Sequence, residues 1–321
     1  MAIRDLAPGD RVEDFFALRK FERREHQGGE RLTLELGDAS GRMEAVMWEG
    51  YESLLDQLRA GDIVKVRGLV GTYRDRPQIR IERMRPAGAD DQVDKSAFVP
   101  RAPVPSETLA AELDRFIGSI ADPWLSRLLG SLLGDGATRA AYLQAAGGKR
   151  WHHDSLGGLA EHSLNMARIV ELLCQVYPDL DRELLICGAL LHDIGKIEQY
   201  AIGSMIDYSD EGRLVGHINS GDFRVTSAMR AIEGFPERTE QLLRHLIISH
   251  QGQMETGSPV VPQTREAFIL YYADEIDSKM GALRHVAEKT GDRPWSEFVN
   301  LIGRHIYFGG RDQGTAAGAD E

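Results

Sequence analysis

The feature that most constrains this chain is a pair of adjacent polar residues, His192 and Asp193, at the end of an apolar run that reads Ala-Leu-Leu-His-Asp-Ile-Gly-Lys over 189–196. An apolar helix of this kind belongs in a core, where an imidazole and a carboxylate without partners are costly to bury. A divalent metal that binds both side chains removes that cost. The alternative is a helix that reaches the surface, where both side chains are hydrated. The pair alone leaves both interpretations open.

The composition is that of an ordinary globular protein, with 42% hydrophobic and 27% charged residues. The 321 residues suffice for two domains of ~150 residues each. No apolar run reaches the ~20 residues of a membrane helix, and the first residues lack the apolar stretch of a secretory signal. Cys174 and Cys187 lie in apolar helical patterns and are predicted to be reduced core thiols. We therefore expect a cytoplasmic protein without a membrane partner.

The charge is distributed unevenly along the chain. The net charge of −12 argues against a nucleic-acid partner when the whole chain is considered. Residues 1–86, however, contain 16 basic and 16 acidic residues, so the remainder carries the whole excess. An arginine-rich strip lies within this neutral part. Net charge therefore does not exclude a phosphate backbone bound by the N-terminal segment.

The first part of the chain predicts β-structure. Alternating apolar residues over 32–36 and 42–48 flank a turn at 37–41, and a short helix is predicted over 51–59. The remaining predicted strands cover 12–21, 63–70 and 78–81. Five strands with a helix between the third and the fourth match an OB-type barrel.

The second part shows helical periodicity throughout. The fold class that we predict is therefore multidomain α and β, an N-terminal five-stranded OB-type β-barrel followed by an all-α helical bundle. The predicted boundaries are an OB-type nucleic-acid-binding domain at 1–86, a linker at 87–105, a helical domain at 106–308 and a disordered tail at 309–321. The predicted helices begin at Ser106 and cover 125–133, 156–176, 181–192, 218–232, 239–250 and 264–286.

Several imidazoles and carboxylates occur in or at the end of apolar helical patterns of the second part. A lone histidine of this kind is usually a hydrogen-bonded core residue. Four on one small bundle, together with two carboxylates, favour a shared site for manganese, iron, zinc or similar ions. The candidates are His162, His192, Asp193, His217, His250 and Asp274.

His245 and His250 are distinguished by helix geometry. Five steps along a helix turn by about 140°, so the two side chains cannot share a face. His250 falls in line with Leu243 and Ile247 on the apolar side, whereas His245 lies on a more polar side. We therefore predict His250 as the ligand and a structural or supporting role for His245.

The order of these motifs resembles the HD-domain metal-dependent phosphohydrolases, and more closely the YhaM-type 3′-to-5′ exoribonucleases. The resemblance covers about residues 10 to 285 and rests on Gly-Gly-Leu-Ala-Glu-His-Ser-Leu, Leu-Leu-His-Asp-Ile-Gly-Lys, Gly-His-Ile, Ile-Ser-His-Gln-Gly and Ala-Asp-Glu-Ile-Asp, after an OB-like segment. It implies two divalent ions, with manganese as the first choice and iron, cobalt, zinc, nickel or magnesium as alternatives. It assigns His162, His192, Asp193 and Asp274 to one ion, and His217 and His250 to the second. Gln251 departs from the family pattern, which often has a histidine there, and this weakens the case for the second ion.

Three residues are predicted to act in catalysis. Asp193 would bridge the two ions, which lower the pKa of a shared water. Lys196 would contact a phosphate oxygen, or alternatively oppose the helix dipole as a C-terminal cation. His153 would protonate a leaving oxygen or bind the terminal nucleotide, a role that the resemblance favours. The alternative is that Trp151, His152 and His153 merely pack there, and this alternative is preferred for His152.

The OB-like segment would hold a single strand by stacking and phosphate contacts. The candidates are Phe21, Trp48, Tyr73, Arg74, Arg76 and Arg80. The alternative is that the aromatic residues form the barrel core and the arginines are merely hydrated.

The leading hypothesis is a metal-dependent 3′-to-5′ exonuclease that releases mononucleotides from single-stranded RNA, with DNA as a further possible substrate. One alternative is an HD-type phosphohydrolase of free nucleotides or cyclic dinucleotides, which would have little use for a barrel. Another is a non-catalytic nucleic-acid-binding regulator, against which the intact ligand set argues. The sequence leaves open whether the chain forms a homo-oligomer.

Overall fold

A computed structural model of the chain describes residues 1–26, 29–74, 76–149 and 153–309. Trp151, His152 and all of the predicted tail after Gly309 lie outside the described residues. None of the helices in the described ranges combines the length and the apolar character that a bilayer crossing requires.

The N-terminal part is a closed five-stranded barrel, which confirms the predicted architecture. Strands are neighbours in the order β1, β2, β3, β5, β4, and the barrel closes through antiparallel pairing of β4 with β1, for example Phe16 opposite Val64. Strands β3 and β5 pair in parallel. The strand bounds are β1 Arg11–His26, β2 Gly29–Asp38, β3 Gly41–Met47, β4 Ile63–Tyr73 and β5 Arg76–Pro86.

Alternation along the strands fills the barrel core. In β2, Leu32, Leu34 and Leu36 are buried, while the residues between them are more exposed, as a period of two requires. The same strand pairs with β1 on one side and with β3 on the other. The barrel therefore has a packed interior, and a ligand has access to its outer surface only.

The predicted helix over 51–59 is wrong. The segment forms a short 3-10 helix, Glu52–Leu54, followed by turns. Tyr51 and Leu58 are both buried in the barrel core. A nine-residue segment has little helical stability of its own, so burial of these two side chains determines its path.

The arm between the two parts packs against both of them. Phe98 is buried with Ala17 and Ile63 of the barrel. A bridge between Arg101 and Leu156 ties the end of the arm to the helical part. The predicted linker therefore runs over the surface of both parts instead of extending freely between them.

The helical part surrounds one large apolar core, to which α4 and α5 contribute buried faces. Its longer helices are α1 Ser106–Gly118, α2 Pro123–Leu129, α3 Gly136–Gln144, α4 Gly158–Val176 and α5 Arg182–Leu191. After them follow α6 Lys196–Gln199, a hairpin of β6 Tyr200–Ile202 and β7 Ile206–Tyr208, α7 Asp210–Leu214, α8 His217–Arg230, α9 Glu237–Ser249 and α10 Arg265–Thr290.

The helical part contacts the barrel directly, for example through the hairpin and through the segment after α10. The hairpin touches the barrel where the Ser204 hydroxyl donates to the carbonyl of Gly61 at 2.5 Å. Beyond α10 the chain returns to the barrel, and Arg76 of β5 forms an ion pair with Glu297 at 2.8 Å. The hairpin was not predicted from the sequence.

Candidate metal centre

The centre begins at the end of α5, where His192 and Asp193 lie fully buried. His192 is the C-cap of α5, and its Nδ1 lies 3.0 Å from the carbonyl of Ala189. Because a carbonyl only accepts, Nδ1 carries the proton and Nε2 offers a lone pair to the interior. The alternative interpretation of a hydrated helix end is therefore wrong.

A pair of glycines sets the position of His162 in α4. Gly157 has φ +84° before the first turn of α4, and a Cβ at Gly158 would lie 2.1 Å from the carbonyl oxygen of His153. This close approach brings α4 against the preceding loop. His162, one turn into α4, then directs Nε2 to within 3.3 Å of Asp274 Oδ1 and 3.2 Å of His192 Nε2.

The two oxygens of Asp193 face two different groups of imidazoles. Oδ2 lies 3.3 Å from His192 Nε2 and 3.6 Å from His162 Nε2. Oδ1 lies 3.3 Å from His217 Nε2 and 3.6 Å from His250 Nε2. The carboxylate thus stands between two sets of donors, as a bridging ligand does.

The imidazoles on the Oδ1 side are oriented in the same way as His192. His250 Nδ1 lies 2.7 Å from the carbonyl of Ile247, and His217 Nδ1 lies 2.7 Å from Gln199 Oε1. Each acceptor fixes the proton on Nδ1 and leaves Nε2 for the centre. His217 can approach Asp193 because Gly195 has no side chain, since a Cβ there would lie 2.1 Å from the carbonyl oxygen of His217.

These residues fit a divalent cation on chemical grounds. Asp193 Oδ1 and His217 Nε2 are buried, and neither has a hydrogen-bond partner among the residues that the structure describes. Buried polar atoms normally have partners, so two such atoms facing each other indicate a missing ligand. The candidate ligand groups are His162, His192 and Asp193; His192, His250 and Asp274; and Asp193, His217 and His250.

Burial and charge divide the imidazoles into two classes. Burial lowers the pKa of His217 to about 3 and that of His250 to about 4, so both are neutral ligands at neutral pH. Burial also opposes the charged form of His162, but the carboxylates of Asp274 and Asp277 outweigh it and raise its pKa to about 10. His162 therefore holds a proton that a cation would displace.

Asp277 supports the centre and was not predicted as a site residue. Its Oδ2 accepts from His162 Nδ1 at 2.7 Å and from His153 Nε2 at 2.8 Å, while Oδ1 accepts from Asn165 at 2.9 Å. The available signal was its position three residues after Asp274, which places both carboxylates on one side of α10. Gln199, which orients His217, had no comparable signal.

Lys196 and His153 have defined contacts. The Lys196 ammonium lies 2.5 Å from Asp193 Oδ2 and 2.7 Å from the carbonyl of Gly147. It is buried within the centre rather than exposed at a helix end. His153 has φ +49° and is held between Glu161, at 3.1 Å from Nδ1, and Asp277. Burial opposes protonation of His153, yet hydrogen bonds to these two carboxylates raise its pKa.

Comparison with known proteins identifies the family. Residues 159–279 match the model of the HD domain, and residues 19–87 match that of an OB-fold nucleic acid binding domain. A Bacillus velezensis protein named 3′-5′ exoribonuclease YhaM is 33% identical over 94% of this chain and 95% of its own length. The chain belongs to the YhaM family. Relatives of the same name from Bacillus subtilis and Bacillus pumilus are 32% and 35% identical, each over 86% of this chain and 87% of their own length.

Gln251 and His245 are close to His250 along this YhaM-family chain, but only Gln251 bears on the second ion. The side-chain amide of Gln251 lies 3.1 Å from His250 Nε2, the nitrogen that the second ion would use. The side chain of Gln251 must therefore turn aside when an ion binds there. His245 lies outside the centre, where its Nε2 accepts from the backbone of Gln263 at 2.9 Å.

The barrel residues predicted to bind nucleic acid differ in exposure. Phe21 is half-buried and packs on the barrel core, whereas Trp48 and Tyr73 are 37% and 40% exposed. Arg31, which was not predicted, reaches toward both exposed rings, with its guanidinium carbon 5.2 Å from the Trp48 centroid and 5.8 Å from that of Tyr73. The predicted arginines are exposed on the same barrel; Arg74 lies over the Tyr73 ring, Arg76 pairs with Glu297, and Arg80 faces outward from β5.

Proposed function

We propose that this chain is a metal-dependent 3′-5′ exoribonuclease that removes mononucleotides from single-stranded RNA. The observation that carries the proposal is the Asp193 carboxylate between two sets of inward-facing imidazoles, in a chain that is similar over nearly its whole length to proteins named exoribonucleases. The accompanying OB-fold domain favours a polymeric substrate over free nucleotides, because it is a nucleic-acid-binding module.

Two ions are the proposed occupancy, with manganese as the first choice. His162, His192, Asp193 and Asp274 would hold one, and Asp193 with His217 and His250 the other. Such ions supply an activated water near neutral pH and offset the charge that develops on the phosphate. Imidazole and carboxylate donors suit manganese, iron and zinc alike. The cytoplasmic location stays a prediction.

The residues around the centre have roles of their own. Lys196 is proposed to keep Asp193 ionised and in place, since burial alone would raise the pKa of Asp193 and the Lys196 ammonium lowers it strongly. Burial opposes protonation of His153, but hydrogen bonds to Asp277 and Glu161 raise its pKa, and His153 is proposed as the proton donor to the leaving oxygen. Trp48 and Tyr73 are proposed as stacking platforms for bases, with Phe21 more buried, and Arg74, Arg76 and Arg80 as phosphate contacts.

The test compares labelled single-stranded RNA of one sequence carrying the label at either end. With Mn²⁺, the native chain is expected to convert 5′-labelled RNA into a ladder of shortening products, and to release 3′-labelled RNA directly as mononucleotide. Asp193→Asn is expected to abolish both patterns. Asp179→Asn, which removes an exposed carboxylate paired with Arg265 and not with the centre, is the matched control and should behave as the native protein.

Three results would contradict the proposal. Turnover of free nucleotides without shortening of RNA would favour the phosphohydrolase alternative. Binding of RNA without any turnover would favour the regulator. Mononucleotide released first from the 5′ end would reverse the direction of degradation.

A further inference from the structure

A cavity of about 490 Å³ separates the barrel from the helical part. Its walls come from β1 to β3, from the arm at 99–100, from the loop before α4, from the hairpin and from the C-terminal half of α10. The cavity therefore lies where the two parts of the chain meet.

The charge of this cavity is opposite in sign to that of the protein. The chain as a whole carries −12, yet five lysines and arginines face the cavity against the two carboxylates of Glu35 and Asp154. A cleft lined by one sign of charge concentrates ligands of the other sign. The cations are Arg19, Lys20, Arg42, Lys149 and Lys289.

Arg19 has a donor in this cavity that is left unused by the part of the chain that the structure describes. Its Nη2 donates to the carbonyl of Phe98 at 3.1 Å, but its buried Nε has no acceptor among the residues that the structure describes. Burial, and then the nearby Arg42 guanidinium, lower the pKa of Arg19 to about 10. Gly37 makes room for this side chain, since a Cβ there would lie 2.7 Å from Arg19 Nε. A phosphate oxygen would supply the missing acceptor.

The cavity is continuous with the barrel face that carries the exposed aromatic residues. Lys20 and Glu35 line it and also line a second cavity of about 700 Å³, which includes Tyr73 and Arg74. A strand that stacks on the barrel face can therefore enter the cavity without leaving the surface of the protein.

At its other end the cavity reaches the loop that borders the metal centre. Lys149 and Asp154 belong to the same loop as Gly147, whose carbonyl accepts from Lys196. On α10, Lys289 lies twelve residues after Asp277, or about 18 Å along the helix axis at ~1.5 Å per residue. A stacked strand advances ~3.4 Å per nucleotide, so this length corresponds to about five nucleotides.

We propose that this cavity is a groove for RNA phosphates about five nucleotides upstream of the 3′ end, and that Arg19, Arg42 and Lys289 contact them. The inference rests on the proposed function, because it takes an RNA 3′ end at the metal centre as its reference point. In this arrangement the groove directs a strand from the barrel to the centre and distinguishes long RNA from short fragments.

The test is the double variant Arg42→Gln/Lys289→Gln, with Arg284→Gln as the control. Arg284 is an exposed cation of α10 outside the lining of the cavity, so its replacement changes net charge without changing the groove. Arg19 is retained because it also holds the arm through Phe98. Binding of a fluorescent 20-nucleotide RNA is measured by anisotropy at several salt concentrations in a chelator, and turnover of that RNA and of a dinucleotide is measured with Mn²⁺.

Loss of two phosphate contacts should reduce the slope of log affinity against log salt by about 1.4, at ~0.7 per contact for single strands. A fourfold rise in salt should then weaken RNA binding by the double variant about sevenfold less than binding by the native chain. KM for the 20-nucleotide RNA should rise, while kcat/KM for the dinucleotide and both values in the control stay unchanged.

Two outcomes would overturn the inference. An unchanged salt slope would mean that Arg42 serves only as the ion-pair partner of Glu35 and Asp154 and that Lys289 contacts no phosphate. An equal loss on the dinucleotide would mean that they support the centre and not the strand. If the native chain and the double variant differ in slope as expected, but the native chain never shortens RNA, the exonuclease is disproved and the phosphate groove still stands.

Discussion

Replacing Asp277 by Asn tests how the centre is supported. The carboxylate accepts from His162 Nδ1 at 2.7 Å and from His153 Nε2 at 2.8 Å, so it fixes the His162 proton on Nδ1 and leaves Nε2 for a cation. Both imidazoles donate to Oδ2 and Asn165 donates to Oδ1, so whichever way an amide is turned at least one of these three donors loses its acceptor, and the negative charge beside His162 is lost. Loss of such a support lowers metal affinity by about 10- to 100-fold.

The expected losses of metal affinity and of folding stability can both be expressed as free energies and measured separately. A 10- to 100-fold loss of affinity is about 1.4 to 2.7 kcal/mol of metal-binding free energy. One donor left without its acceptor costs a further ~1–3 kcal/mol of folding free energy in the metal-free protein. Titration calorimetry with Mn²⁺ measures the first quantity, and urea unfolding of the metal-free protein measures the second.

The control is Glu275→Gln on the same helix. Glu275 lies two residues before Asp277, is partly exposed and pairs with Lys279, so its replacement removes the same charge without touching His162. Native Mn²⁺ affinity in a folded Asp277→Asn variant would refute the reasoning. So would a loss of one bound ion at unchanged affinity for the rest, because Asp277 would then be a ligand of its own ion together with His153 and His162.

Three further predictions concern the stability and the metal affinity of the centre. Asp193→Asn should lower the free energy of unfolding of the metal-free protein by about 3–5 kcal/mol, because it leaves Lys196 buried without its carboxylate. In urea unfolding, Asp193→Asn/Lys196→Met should recover most of this lost stability. It should not recover activity. Gly195→Ala should lower melting temperature and activity together, since its Cβ would lie 2.1 Å from the carbonyl oxygen of His217, whereas Gly118→Ala, which meets no atom within 4 Å, should be neutral. Mn²⁺ affinity should rise with pH. Burial lowers the pKa of His162, but Asp274 and Asp277 outweigh it and raise that pKa to about 10, so His162 must release a proton when it binds a cation. Calorimetry in buffers of different ionisation enthalpy would show no proton release if this is wrong.

Sequence patterns predicted the barrel where they were long enough to show a period. Strands such as Gly29–Asp38 and Gly41–Met47 alternate over seven or more residues, so their buried faces can be recognised. The hairpin of Tyr200–Ile202 and Ile206–Tyr208 has three residues in each strand, too few to show alternation. The turns after Tyr51 depend on burial against the barrel, which no local pattern encodes.

The same distinction separates the parts of the candidate site that were predicted from those that were not. Candidate ligands such as His192 and Asp193 are unusual residue types in apolar surroundings, and this can be seen in the sequence. The role of Asp277 depends on His162, which lies 115 residues away along the chain. Likewise, Gln199 matters only because the fold places it against His217. Supporting residues are defined by their partners, so a sequence without coordinates does not single them out.

The net charge of −12 raises the question of how such a chain would approach RNA, and the answer lies in the range of electrostatic forces. At physiological ionic strength charges are screened over about 8 Å, so a phosphate responds to the side chains next to it and not to the total. Next to the proposed path, nine arginines and lysines outnumber five carboxylates. At the centre itself the carboxylates of Asp193, Asp274 and Asp277 are opposed by the Lys196 ammonium and by the proton on His162, so the centre does not present a single sign of charge. Metal ions bound there would displace the His162 proton and add positive charge for the phosphate at the 3′ end, whereas the groove attracts the strand by its own charge.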